Sequence, residues 1–155
     1  MIIRRFKDTD AKKVSNLIIE TMKKSNSSDY PKKLLEDFIK EQTPEKITEW
    51  AKWTHFYVVE DNNKIIGCGA IGAYWGKEDE SSLFKIFIHP KYQGMGIGRM
   101  IVLKLEDDEF AKRANRIEVP ASITAVEFYK KMGYNFKNNN CDVDNEVLYR
   151  LEKRK

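Results

Sequence analysis

The chain has 155 residues, of which 41% are hydrophobic and 34% charged, a size and composition typical of one globular domain with its own core. No apolar run is long enough to span a membrane, and the first residues lack a signal-peptide pattern, so we expect a cytoplasmic protein with no membrane partner. The two cysteines form no C-x-x-C pair and the two histidines lack metal-ligand spacing, so no metal is indicated.

The first half of the chain predicts one strand, three helices and a hairpin. Helical periodicity runs from Val14 to Met22, and two shorter helices are predicted near Pro31 and Pro44. A hairpin is predicted at Asp61–Asn63, because these residues tolerate turn conformations. The predicted strands span residues 2–6, 56–60 and 64–71.

The second half alternates strands and helices. The predicted elements are a strand over 83–88, a helix from 97, a strand over 116–119, a helix ending before 133, and strands over 134–137 and 146–151. The first of these helices carries Ile97, Ile101 and Leu105 on one face. Thr124–Glu127 fits a capping box at the start of the second helix.

Charged residues give weaker signals. The acidic run Glu106–Glu109 is predicted to be solvated, because dense like charges repel, and the tail Lys153–Lys155 is predicted to be a solvated end. The net charge of +4 suits an anionic ligand or a nucleic acid. Because no basic helix is interleaved with base-stacking aromatic residues, we expect no nucleic-acid partner.

A glycine-rich loop precedes the helix from residue 97 and is the strongest local signal. Gly94, Gly96 and Gly98 alternate with other residues, so the backbone can approach a ligand closely and direct successive N–H groups at one point. The positive end of the helix dipole lies at the same place, and Arg99 adds a cation. The pattern therefore predicts a cradle for a phosphate.

Two common phosphate loops do not fit this spacing. A P-loop requires Gly-Lys-Ser/Thr at the start of the helix, but Gly98 is followed by Arg99 and Met100. A dinucleotide fingerprint requires G-x-G-x-x-G, and its third glycine would fall on Arg99 or Ile101. The remaining pattern is Q-x-x-G-x-G, from Gln93 to Gly98.

This pattern, preceded by a strand, resembles the pyrophosphate loop of the GNAT superfamily of N-acetyltransferases, which bind acetyl-CoA. Ala125–Tyr134 is similar to the superfamily signature A-x-x-F-Y-x-x-x-G-F/Y near the C-terminus. Ile117–Ser122 resembles the L-E-V-x-A-S strand end of members that acetylate protein N-termini. Two motifs in the right order are far more specific than one.

The resemblance implies a single N-acetyltransferase-like α/β (α+β) domain over residues 1–155. Its mixed, mostly antiparallel sheet would have about six to seven strands flanked by four to five helices. The sheet would be splayed where the strands ending at Ile88 and Val119 part, with acetyl-CoA in that cleft and no metal. A primary amine would enter from the opposite side.

The resemblance also implies the cofactor-binding residues. In the family, a backbone N–H near Phe87 or Ile88 binds the oxyanion, and the same strand edge binds the pantetheine arm. Many members have an Asn before the last helix, where this chain has Ser122. The candidates are Phe87, Ile88, Gln93, Gly94, Met95, Gly96, Ile97, Gly98, Arg99, Ser122, Phe128 and Tyr129.

The same resemblance implies two catalytic residues for direct attack of an amine on the thioester. Tyr129 matches the family's general acid for the departing thiolate, a role that the two motifs favour over the buried aromatic role that its position alone would suggest. Glu118 matches the glutamate that some members use as base, with a salt bridge as the competing role. Other carboxylates, among them Glu60, Asp79 and Glu80, or a water molecule remain alternatives.

The rival function is a catalytically weak acyl-CoA-binding or sensing protein of the same fold. The acceptor is a small-molecule amine or a protein N-terminus, and neither is favoured by the sequence. A homodimer is a guess, because exposed sheet edges cannot be located from the sequence.

Overall fold

The computed structural model describes residues 1–145 and 147–155, which form a seven-stranded mixed sheet. The strand order is β1-β2-β3-β4-β5-β7-β6, and only the β4–β5 pair is parallel. The strands are β1 Ile2–Arg5, β2 His55–Asp61, β3 Lys64–Ala73, β4 Glu80–Ile88, β5 Arg116–Ala121, β6 Asn135–Phe136 and β7 Tyr149–Arg154. The expected mixed, mostly antiparallel sheet is confirmed.

Six α-helices flank this sheet in the described residues, one more than expected. They are α1 Ala11–Ser25, α2 Lys32–Lys40, α3 Pro44–Trp53, α4 Ile97–Glu106, α5 Glu109–Lys112 and α6 Val126–Lys131. The additional helix is the four-residue α5. None of the helices described here has both the length and the apolar character needed to cross a lipid bilayer.

The alternation of side chains along the strands creates two hydrophobic clusters, one on each face of the sheet. On one face, α1–α3 pack against Phe56 and Val58 of β2. On the other, Ile101 and Leu105 of α4 pack with Tyr129 of α6. The helices α1 and α4 bury the apolar stripes that their sequence periodicity predicts.

The pairing of β4 with β5 ends early, and this creates the cleft. The ladder runs only from Glu80–Arg116 to Ser82–Glu118, although β4 continues to Ile88. Lys85 has a φ of 54°, and the register between β3 and β4 shifts beside it. The central strands therefore part, as the resemblance implied, and the edge of β4 after Ser82 has no paired strand on the β5 side within the described chain.

The acidic run is not simply a solvated face. Asp108 is 7% exposed, accepts hydrogen bonds from the Tyr57 hydroxyl (2.6 Å) and the Phe110 N–H (2.9 Å), and lies 2.8 Å from His55 Nδ1. It caps α5, and because its other partners, His55 and Tyr57, are 51 or more residues away, no local pattern predicted its burial. The prediction of a uniformly solvated run was therefore wrong.

The C-terminal tail also differs from expectation. Lys153 lies in β7 with its ammonium 2.7 Å from Glu106 Oε2, and the Lys155 ammonium donates to the Ala111 carbonyl at 2.6 Å. Lys153 and Arg154 are strand residues that pair with Ile117 and Arg116 of β5, and the side chains of Lys153 and Lys155 have partners at the end of α4 and at α5. Glu146, where the last strand was predicted to begin, lies outside the described residues.

Replacing Asp108 by alanine is expected to lower the free energy of unfolding by about 2–4 kcal/mol, because a helix cap and two buried partners are lost together. Urea denaturation measures the change. The matched control is Asp107→Ala, whose side chain is 72% exposed and which should cost less than about 0.5 kcal/mol. Equal effects of the two changes would contradict the assignment.

The contribution of Asp108 should also depend on pH. Burial opposes ionisation, but the bonds from Tyr57, Phe110 and His55 outweigh it and lower the pKa of Asp108 below its ordinary 3.8. Its contribution is therefore complete above about pH 5 and is lost as the pH falls below the ordinary pKa. The stability gap between wild type and Asp108→Asn should narrow between pH 6 and pH 3.

Candidate active site

The glycine-rich loop forms an open cradle at the start of α4. Gly94 and Gly96 have φ values of 79° and 81°, and a Cβ atom added at either would meet no atom within 4 Å. Gly96 is the N-cap of α4, so the N–H groups of Ile97, Gly98 and Arg99 in the first turn lack intrahelical partners. These donors, the helix dipole and the open space fit a phosphate group.

Gln93 holds this loop against the end of β4 and the end of α1. Its side-chain amide donates to the Ile88 carbonyl at 3.1 Å and to the Ser25 hydroxyl at 2.9 Å. The side chain therefore holds the loop in place. If Gln93 contacts a ligand, it does so through its backbone. Met95, another candidate, is 62% exposed.

The two sequence motifs meet at Gly98. A Cβ atom at this position would lie 3.2 Å from the Phe128 ring and 3.5 Å from Ile88 Cδ1. A larger residue would require the Phe128 ring to shift by a few tenths of an ångström, so glycine favours this close packing of α6 against α4 and the end of β4. The Phe128 ring also lies 5.1 Å from the Tyr129 ring, and Arg99 Nη1 is 3.9 Å from Met132 Sδ. The candidate phosphate loop and the candidate acid thus share one packed corner.

Tyr129 is 5% exposed and lies in the cluster on the α4 side of the sheet. Burial raises the pKa of its hydroxyl, and no hydrogen bond from the described residues contributes to that shift. The phenol is therefore protonated at neutral pH and has a proton to donate. Sequence reasoning weighed a buried aromatic role against an acid role, and the position of Tyr129 is compatible with both.

Glu118 lies on the opposite face of the sheet. Its neighbours Ile117 and Val119 belong to the cluster that contains Tyr129, so the alternation of β5 turns the Glu118 side chain the other way. It is 1% exposed, yet it is the last β5 residue to pair with β4. The candidate base therefore lies at the apex of the cleft.

Three cations surround the Glu118 carboxylate. It forms an ion pair with Arg116, and its oxygens lie 2.9 Å from Lys137 Nζ and 3.5 Å from Arg150 Nη1. Arg116 in turn contacts Glu80 at 2.8 Å and Glu152 at 2.6 Å. Burial opposes ionisation of these two carboxylates, but hydrogen bonds outweigh it and lower both pKa values, those from Lys77 and Arg116 at Glu80 and that from Arg116 at Glu152.

The comparison with known families agrees with this geometry. The model of the Acetyltransferase (GNAT) family matches residues 19–134, more than half of the chain. The chain belongs to the GNAT family. The resemblance seen in its two motifs is therefore confirmed.

Curated relatives of this GNAT chain are N-acetyltransferases. One, an uncharacterised N-acetyltransferase from Methanocaldococcus jannaschii, is 30% identical over 111 residues, 59% of this chain and 48% of the relative. Another, the [ribosomal protein bS18]-alanine N-acetyltransferase from Haemophilus influenzae, is 36% identical over 77 residues, 48% of this chain and 51% of the relative. The chain spans about half the length of these curated relatives.

The fold is also similar to that of solved GNAT structures. PaiA N-acetyltransferase from Thermoplasma acidophilum, solved with coenzyme A, superposes with a TM-score of 0.82 at 18% identity. The match covers 99% of this chain and 98% of that protein. At this identity, the likeness establishes the fold alone.

Ser122, the residue at the position of the family's Asn, is tied to the loop between α1 and α2. Its hydroxyl accepts a hydrogen bond from Asn26 Nδ2 at 3.3 Å, and Asp29 accepts one from the Thr124 hydroxyl at 2.5 Å. Thr124 therefore does not cap α6, and the predicted capping box was wrong. No local pattern predicted the contact of Thr124 with Asp29, because the two residues are 95 positions apart in the chain.

Sequence reasoning also missed the partners of Glu118. Arg116 could have been noticed, because it shares a strand face with Glu118 two residues away. Lys137 begins the turn after β6, and Arg150 lies in β7. Only the fold therefore brings these two residues to Glu118 of β5. Among the described residues, no cluster of three or more His, Cys, Asp or Glu side chains could hold a metal ion.

Proposed function

We propose that this chain is an N-acetyltransferase that moves the acetyl group of acetyl-CoA to a primary amine by direct attack. The observation that carries the proposal is the contact of Gly98 with Phe128 and Ile88, which joins an open phosphate cradle to the unpaired edge of β4. Family membership supports the acetyltransferase chemistry. The acceptor is a small-molecule amine or a protein N-terminus; the bS18-alanine relative acts on the latter.

The cofactor-binding role is divided between backbone and side chains. Backbone N–H groups from Gln93 to Arg99 bind the pyrophosphate, and Phe128 and Ile88 close the corner beside it. The edge of β4 at Phe87 and Ile88 binds the pantetheine arm in the manner of an added strand and donates to the developing oxyanion. Acetyl-CoA supplies the acetyl group as a reactive thioester.

Proton transfer falls to the two residues on opposite faces of the sheet. Tyr129, kept protonated by burial, donates to the departing thiolate. Glu118 accepts the proton of the incoming ammonium, directly or through a water molecule. Because three cations contact Glu118, one of them has to move before an amine can reach the carboxylate.

CoA binding is the first test, by calorimetric titration of acetyl-CoA, CoA and NADH. Both CoA species should bind and NADH should not. Gly96→Asp should weaken CoA binding at least 30-fold, about 2 kcal/mol, because the side chain fills the cradle with a negative charge. The matched control is Gly76→Asp, since Gly76 also has a positive φ (74°) and open space but lies outside the loop. No CoA binding to the wild type would exclude the proposal.

Tyr129→Phe should lower kcat roughly 100-fold without weakening CoA binding, because the ring packing is kept and only the proton donor is lost. A thiol-release assay with an amine acceptor measures kcat. Tyr134→Phe, a buried tyrosine whose hydroxyl donates to Glu106, is the control and should retain activity. Unchanged transfer by Tyr129→Phe would favour the rival function, a weak acyl-CoA-binding or sensing protein.

Glu118→Gln should lower kcat/KM roughly 100-fold near neutral pH, because the amide cannot accept the proton. The control is Glu152→Gln, which removes another carboxylate from the same guanidinium of Arg116. If Glu118 only stabilises the fold, both variants lose stability alike and neither loses activity selectively. That result would move the base to water or to another carboxylate.

A further inference from the structure

The ammonium of Lys137 forms an ion pair with Glu118, the candidate base. Its Nζ atom is 2.9 Å from Glu118 Oε1 and 3.0 Å from the Tyr74 hydroxyl oxygen, and 5.2 Å from the centre of the Tyr74 ring. Lys137 is the first residue of a short turn after β6, in which Asn138 and Asn139 both have positive φ values. A primary amine at the end of an alkyl chain is therefore already held where an acceptor amine would need to be.

The location of this ammonium relative to the cleft matters. Glu118 and Ser82 form the last pair before β4 and β5 part, so Lys137 Nζ lies at the apex of the splayed strands. It approaches from the face opposite to Tyr129. This is the side from which an amine must attack if the proton donor to the thiolate lies on the other.

The charges around Arg116 suit one exchangeable cation. Its guanidinium contacts three carboxylates, those of Glu80, Glu118 and Glu152. Glu80 and Glu152 each have a second cation, Lys77 at 3.2 Å and Arg154 at 3.5 Å, and at Glu118 the further cations are Lys137 and Arg150. If Lys137 swings away, Glu118 loses the nearer of these two cations, and an ammonium ion can take its place.

An open cavity of about 250 Å³ leads to this point. It is lined by Lys137, Asn138, Asn140, Asp142, Asp144 and Arg150. Lys137 and Arg150 also contact Glu118, so these two side chains separate the cavity from the buried carboxylate. The cavity has room for a small ligand, and the side-chain amides of Asn138 and Asn140 and the carboxylates of Asp142 and Asp144 suit an ammonium ion.

We propose that Lys137 occupies the acceptor-amine subsite as an internal pseudo-substrate, and that the acceptor is a primary amine on an unbranched alkyl chain that displaces it. The inference rests on the proposed function. A lysine side chain brings four methylene groups past Tyr74 before its amine reaches Glu118. The α-amine of a peptide is attached to a branched carbon beside an amide group. It therefore matches the position of the Lys137 side chain less well than an unbranched alkyl amine does.

Direct binding tests the proposal without turnover. Butylamine and alaninamide, a mimic of a peptide N-terminus, are titrated calorimetrically at pH 7.5 into wild type and Lys137→Met, with and without CoA. If Lys137 fills the subsite about 90% of the time, its removal should tighten butylamine binding about tenfold. Lys131→Met, a change at an exposed lysine of α6, should leave binding unchanged.

If Lys137→Met is poorly folded, Lys137→Gln replaces it with the same tightening expected, and a second variant tests whether Tyr74 belongs to the same subsite. Tyr74→Phe removes the hydroxyl that accepts a hydrogen bond from the Lys137 ammonium, so it should weaken the hold on Lys137. It also removes the hydroxyl with which a bound amine would form the same hydrogen bond. In the Lys137→Met background, Tyr74→Phe should weaken butylamine binding several-fold. Thermal unfolding of every variant shows which of them are folded.

The outcomes separate this inference from the proposed function. Tighter butylamine binding in Lys137→Met, with CoA bound but no acetyl transfer, would support the subsite and reject the enzyme. Equal butylamine binding in wild type and Lys137→Met, or a preference for alaninamide, would overturn the inference even if acetyl transfer were observed.

Discussion

The short ladder between β4 and β5 is the constraint on which the other features depend. Three residue pairs join the strands, and Ser82–Glu118 is the last of them. The bulge at Lys85, with its positive φ, turns β4 away while its pairing with β3 resumes in a new register. One strand edge is thereby left open inside a sheet whose other edges are short, and a ligand with an extended arm can take the empty place.

Where β4 and β5 part, an apolar environment on one face of the sheet lies close to a charged environment on the other. The α4 face of the cleft is apolar, and there Tyr129 stays neutral because burial disfavours its phenolate. The other face, around Glu118, is packed with charges that hold one another in place. The acid and the base that we propose can therefore differ in basicity, because the two faces of the sheet have different solvation.

The sequence predicted what depends on local pattern. The helix start at Gly96, the order of the elements and the family all followed from short motifs and periodicity, and the structure and the family comparison agree. What escaped prediction were contacts between residues far apart in the chain. Asp108, which was expected to be solvated, instead bonds to residues of β2. Thr124, which was expected to cap α6, instead bonds to Asp29. An isolated carboxylate or hydroxyl has several local partners, and only tertiary packing decides among them.

Two lysines show why the net charge of +4, although it suits an anionic ligand, was a poor guide to the proposed acceptor. The direct partners of the Lys85 ammonium in the described chain are the Gln42 side-chain oxygen at 2.9 Å and the Trp50 ring, and burial lowers its pKa to about 8. Lys137 instead contacts a carboxylate, and the bonds to Tyr74 and Glu118 raise its pKa against the effect of burial. The charge that the apex of the cleft would accept is therefore set by the buried carboxylate of Glu118 and not by the net charge of the chain. A basic protein can in this way present a site for a cation.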